Sequence, residues 1–319
     1  MNSITNNLVF SLNATLPVFL MMIFGGFVRK SGLIDGHTTG QLNRFVFRAL
    51  LPALLFKDLS TADFRTVWDG KFVAFCLIVT LLSVIAAVLF SLLHKDKAER
   101  GEIIQASYRS SAAILGIAFI NNIYGNATIA ALMVVGTVPL YNIVAVTVLT
   151  LTSPNKAEKN SSSLAADTIK SILTNPIILG ITAGIIWSLL EIPQPVILSK
   201  SVSYLGNMAT PLSLIALGAS FSFSETKGKV RITAGIAFIK LVLLCAVFLP
   251  FALMFGFRGE KLIAILVMLG SPTTSSCFVM AKNLGHKGVI TSFAVMLTTL
   301  CSAFTLTIFL FILKSTGNI

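Results

Sequence analysis

The chain has 319 residues, 55% of them hydrophobic and only 11% charged, with a formal net charge of +12 and a mean hydropathy of +0.89. A soluble domain carries about 25% charged residues. This chain has too few to cover a water-facing surface, which makes lipid its solvent and leaves no room for a soluble catalytic or nucleic-acid-binding domain.

Apolar stretches of about 20 residues cross a bilayer core as helices. Ten are expected, at roughly 8–28, 41–60, 71–93, 103–123, 127–149, 170–190, 196–219, 231–254, 261–281 and 288–313. No Lys or Arg precedes the first, so it reads as a retained helix rather than a cleaved leader. The second carries Pro52 in "LNRFVFRALLP". The fourth contains "RSSAAILGIAFINNIYG", residues 109–125, unusually rich in small and polar residues for a span. Residues 151–169, "LTSPNKAEKNSSSLAADTI", have the composition of a solvated linker. The eighth holds Lys240 near its centre, and the ninth runs into "LGSPTTSSCFVMAKNLG", residues 269–285, with a proline and five hydroxyls between Ser271 and Ser276.

The basic excess has a topological reading. Loops on one side carry Lys57, Arg65, Lys71, Lys200, Arg258, Lys261 and Lys314, seven in all. The other side carries fifteen, among them Arg29, Arg44, Arg100, Lys229 and Lys282. Short Lys/Arg-rich loops stay in the cytoplasm. Both termini are therefore expected outside, in a multi-pass protein of the cytoplasmic membrane with no nucleic-acid partner. The four cysteines fall in apolar spans, without metal-ligand spacing. No nucleophile–base motif, phosphate loop or His/carboxylate cluster is present, so neither an enzyme nor a bound metal or cofactor is expected.

An internal repeat is legible in the prolines. Pro17 and Pro52 recur as Pro176 and Pro211 at an offset of 159, and "RGE" at 100–102 recurs at 258–260. Two five-helix units are implied, residues 1–150 and 170–319, joined by a cytoplasmic linker at 151–169. Five is odd, so the second unit inserts upside down, and inverted repeats of this kind place a substrate site near the membrane midplane. The polar segments 109–125 and 269–285 are partners under this repeat. Pro272 removes a backbone donor, and irregular backbone at membrane depth survives only inside protein or beside a water-filled cavity. The expectation is an all-α membrane protein with crossed, broken helices 4 and 9, the breaks falling around Gly116 and Pro272.

Almost all acids lie in loops or at span ends, while Arg109 and Lys240 lie within spans. Half-helix N-termini aimed at the midplane and two cations without buried anions point to an anionic substrate. Candidate binding residues are Arg109, Ser111, Lys240, Thr273, Ser275 and Ser276.

At these residues the chain resembles the auxin efflux carrier family of plant auxin carriers and their microbial relatives. "LNRFVFRALLP" is similar to that family's second helix, "SSAAILGIAF" to its helix-four crossover and "CFVMAKNLG" to the end of its ninth helix; "PLYNIVAV" and "TPLSLIALGASF" are typical of microbial members. The resemblance implies the inverted-repeat fold of sodium/proton antiporters and bile-acid symporters. It implies a scaffold of helices 1, 2, 6 and 7, a transport unit of helices 3–5 and 8–10, and homodimers. It places Tyr141 and Asn142 on the wall of the site. The family's crossover asparagine falls on Ser111, its two crossover prolines on Ala118 and Cys277, and a helix-two serine on Leu55. The auxin-contacting pattern is thus mostly absent. A carrier of small carboxylates such as malate or malonate, working by alternating access, fits best. A membrane-embedded sensor and a sodium-coupled symporter are the alternatives.

Overall fold

The computed structural model describes residues 2–61, 69–112, 120, 124, 128–154, 169–170, 172–222 and 224–319. Gly116, Ala118 and most of the 151–169 linker lie outside the described residues. Within them the chain is helical. Helix α1 spans Asn2–Lys30. Helices α2 (Gly36–Phe45) and α3 (Leu51–Ser60) form one rod, joined by a π-helical turn at Val46–Leu50. Pro52 offers no N–H to the Arg48 carbonyl, and the ladder widens just ahead of it, with Leu51 N–H reaching back to the Val46 carbonyl. Then come α4 (Gly70–Leu92), α5 (Arg100–Tyr108), α6 (Thr128–Leu151), α7 (Pro176–Leu189) and α8 (Val196–Ser220). A second π turn, Ile239–Leu243, links α9 (Val230–Phe238) to α10 (Leu244–Met254). The chain closes with α11 (Gly259–Gly270), α12 (Ser276–Asn283) and α13 (Val289–Ser315).

Five helical segments among the described residues are long and apolar enough to cross a membrane: Gly70–Leu92, Ile129–Leu151, Val196–Ser220, Val230–Met254 and Val289–Ser315. Their apolar residues divide by environment. On α4, Ile78, Leu81, Leu82, Ile85 and Leu89 are exposed while Phe72, Cys76 and Val79 are buried. A face of exposed leucines is what lipid contact requires, since acyl chains are as apolar as leucine.

The short helices sit at the centre. Every residue of α11 from Leu262 to Gly270 is buried, as is every residue of α5 from Gly101 to Tyr108. Around them, α1 packs on α8 and α13, α3 packs on α7 and α8, and α4 packs on α5 and α6. With little hydrophobic drive between helices in lipid, association relies on close packing. Glycine permits it where α1 crosses α8. A methyl on Gly25 would overlap the Ile215 backbone, and one on Gly218 would overlap the Met22 carbonyl.

One acid is consumed by this packing. Glu102, 2% exposed, accepts from the N–H groups of Gly288 (2.8 Å) and Thr291 (3.0 Å) and from the Thr291 hydroxyl (3.0 Å). It satisfies two of the orphan donors that begin α13.

Candidate functional site: a cavity where two broken helices meet

The two breaks form where the sequence lowers helical order. Helix α5 ends at Tyr108, and Arg109 follows in extended conformation (φ −71°, ψ 136°). Helix α11 ends at Gly270, and Ser271 is extended in the same way (φ −71°, ψ 153°). Each break frees carbonyls that a continuous helix would have paired, at a cost of several kcal/mol per group in hydrocarbon. The other break supplies donors. Pro272 cannot donate to the Met268 carbonyl, so the Ser110 hydroxyl does (2.5 Å), with the Tyr141 hydroxyl at 3.3 Å. In return, Thr273 Oγ1 donates to the Ala106 carbonyl (2.8 Å). Ser111 N–H donates to the Pro272 carbonyl (2.9 Å), and Gln105 Nε2 to that of Cys277 (2.9 Å). The breaks are cross-braced.

A cavity of about 60 Å³ opens beside these breaks, lined by Leu51, Leu54, Leu55, Asp58, Arg109, Ser110, Ser111, Val138, Tyr141, Asn142, Thr210, Ser213, Thr274, Ser275 and Ser276. A single water needs about 10–15 Å³ by such a measure, so the space admits several waters or a small polyatomic ligand. Arg109 dominates its electrostatics. The side chain is 3% exposed and does not snorkel out. Its guanidinium donates to Asn142 Oδ1 (2.9 Å), Ser276 Oγ (3.0 Å) and Met280 Sδ (2.8 Å), while Nε has no partner. Among the described residues no carboxylate pairs with it. Its neighbours are held in turn. Asn142 Nδ2 donates to the Val138 carbonyl (2.8 Å), which aims Oδ1 at Arg109, and Ser275 Oγ meets Ser213 Oγ at 2.5 Å. Helix α12 starts at the cavity, so its N-terminal partial charge adds to that of Arg109.

Of the residues expected from sequence, Arg109, Ser111, Tyr141, Asn142, Ser275 and Ser276 line this one cavity. Thr273 and Pro272 line an adjoining pocket together with Ser111 and Ser275. The Cys277 side chain is fully buried behind the break. Lys240 lines neither space. It sits on the second π turn with no exposed surface, and its ammonium donates to the Leu269 carbonyl (2.5 Å). The partner freed there is Thr273 N–H, which turns to Thr298 Oγ1 instead (3.1 Å). Lys240 therefore neutralises the C-terminal end of α11 and acts on the break from behind. Reading the sequence for intramembrane charge found the residue but not its direction.

Asp58, Thr210 and Ser213 escaped the sequence reading. Asp58 had a legible signal: with Leu51, Leu54 and Leu55 it forms an i, i+3, i+4, i+7 face of α3. Thr210 and Ser213 flank Pro211 in the middle of an apolar helix, a weaker cue.

The family model for "Membrane transport protein" matches residues 10–310. The chain belongs to this family, the auxin efflux carriers. It is 26% identical to a Rhizobium meliloti (strain 1021) protein named "Putative malonate transporter", over 94% of this chain and 95% of the relative. It is 22% identical to an "Uncharacterized transporter" of Methanothermobacter thermautotrophicus, covering 85% of this chain and 88% of that protein. The protein is thus a membrane-integral transporter. The cross-braced breaks and the cavity beside them are the features of this auxin efflux carrier relative that bear on what it moves.

Proposed function

We propose that the protein carries a small organic anion, a carboxylate of the size of malonate or malate, across the cytoplasmic membrane by elevator-type alternating access. The observation that carries this is Arg109, a buried guanidinium facing a small hydroxyl-lined cavity with no carboxylate partner among the described residues. A buried unpaired charge costs several kcal/mol, and a bound carboxylate would offset it through a charge-assisted pair. Ser111, Thr274 and Ser276 would complete the oxygen shell, with Tyr141 and Asn142 as wall. The relative named for malonate transport points to the same substrate class.

In this reading ten spans form two inverted five-helix repeats. Helices α1, α2–α3, α7 and α8 are the scaffold, and the helices bearing the two breaks move with their neighbours against it. The mutual packing of α1 with α8, and of α3 with α7 and α8, supports that division. The carrier works as a homodimer with both termini outside the cytoplasm, in line with the Lys/Arg asymmetry of its loops. The test is malonate uptake into proteoliposomes, with Arg109→Gln alongside wild type. A donor to a charged group is worth about 1.5–3 kcal/mol, so the variant should bind roughly 10- to 150-fold more weakly. Uptake of amines or neutral sugars with carboxylates ignored would refute the anion reading.

A further inference from the structure

The cavity that holds Arg109 also holds one acid. Asp58 lies on the Leu51, Leu54, Leu55, Asp58 face of α3, which runs about 10 Å along the cavity wall at 1.5 Å per residue. Its carboxylate has no hydrogen-bond or ion-pair partner among the described residues. The neighbouring Lys57 is engaged elsewhere, its ammonium donating to Asn207 Oδ1 at 2.9 Å. The elements packed on α3 offer little else that titrates. Helix α7 carries no ionisable side chain, α8 carries Lys200 and Tyr204, and the π turn carries Arg48. From the cavity itself Arg109 and Tyr141 face the same space.

The charge balance follows from these residues. Empty, the cavity holds one positive and one negative group. A monocarboxylate leaves it one negative charge in excess, and a dicarboxylate two. Carboxylates confined to one small site cannot all stay ionised cheaply, and one of them takes up a proton. The substrate cannot easily supply that proton carrier, because Arg109 and the α12 N-terminus hold its carboxylate in the charged form. Asp58 has no hydrogen-bond donor holding it charged, and the two nearby cations donate elsewhere, Lys57 to Asn207 and Arg109 to Asn142, Ser276 and Met280.

Resting on the anion reading above, we propose that Asp58 is the proton-binding residue of the transport cavity, so that the organic anion is loaded together with a proton. The proton comes from bulk water and adds to one Asp58 carboxylate oxygen; no other bond changes. The loaded unit then carries one negative charge fewer across the membrane than the anion alone. Binding is linked to protonation in a defined sense. Malonate binds better when Asp58 is protonated, so affinity is highest at low pH. It falls about tenfold per pH unit above the pH at which the empty carrier loses that proton.

The test is calorimetric titration of the purified, lipid-reconstituted protein with malonate, in buffers of different ionisation heat, between pH 5.5 and 8. Wild type should take up close to one proton per malonate at the upper end of the range. Asp58→Asn should take up none there, bind malonate more tightly than wild type at pH 8, and lose the tenfold-per-unit dependence. Asp58→Glu should restore proton uptake, which guards against a variant that is merely misfolded. Wild type binding malonate without proton uptake, or Asp58→Asn keeping it, would overturn the proposal while leaving the anion reading intact. A wild-type protein that binds no small carboxylate at any pH overturns both.

Discussion

Ser110 Oγ donates to the Met268 carbonyl at 2.5 Å, although the two residues lie 158 positions apart. That carbonyl is the one a regular helix would have given to residue 272, which is proline. A hydroxyl in the first break therefore replaces a backbone donor missing from the second. Removing it should destabilise the protein by about 1–3 kcal/mol, the cost of an unsatisfied buried acceptor. Ser110→Ala alone should fall short of that, because Tyr141 Oη still lies 3.3 Å from the same oxygen. Adding Tyr141→Phe should cost more than the two single changes summed. Thermal unfolding of the four proteins in one detergent gives the coupling directly, and strict additivity would show that the carbonyl is not shared.

Replacing Pro272 by Leu restores an N–H and invites α11 to continue as regular helix into the cavity region. We expect transport to drop at least tenfold while the unfolding temperature holds or rises. Flux in proteoliposomes set against thermal stability separates the two. Undiminished transport would mean that the break is not needed for the cycle.

Lys240→Met should act through the fold. The Leu269 carbonyl would lose its donor in a fully buried setting, and stability should drop by about 1–3 kcal/mol. Because Lys240 lines neither cavity, the dissociation constant for malonate should move less than it does in Arg109→Gln. A larger binding loss at Lys240 than at Arg109 would put the lysine in the site after all.

Asp69 precedes α4 and provides a test outside the membrane. The hydrogen bond from Lys261 (2.5 Å), and secondarily the N–H of Phe72 (3.0 Å), hold its carboxyl below the ordinary value of 3.8. The folded-state pKa is thus depressed. Its contribution to stability is full above the unfolded value and is lost as pH falls through the lower folded one. The pair is partly exposed, so screening limits the effect to about 1 kcal/mol or less. Asp69→Asn should lower stability at neutral pH and flatten its decline below about pH 4. Equal slopes for variant and wild type in denaturant unfolding would contradict this.

Much of this protein was determined by sequence alone. Low charge and long apolar runs force a helical membrane protein, because lipid satisfies no backbone group and only helices or closed barrels can span it. The break at Pro272 was also legible, since proline weakens a helix by purely local chemistry, whereas the first break opens at Arg109, ahead of the expected Gly116 and Ala118, which lie outside the described residues. Tertiary structure decided which polar groups face the cavity and which repair the backbone. Thr273 and Lys240 read like site residues in the sequence, yet each spends its donor on a carbonyl of the breaks, Thr273 on Ala106 and Lys240 on Leu269, as Ser110 does on Met268. Asp58 read like a residue at the end of a span, yet it shares a cavity with Arg109. Hydrogen bonds between residues 29 to 167 positions apart leave no local trace, and whether a buried hydroxyl serves the fold or a ligand depends only on which acceptor the packed chain brings within reach.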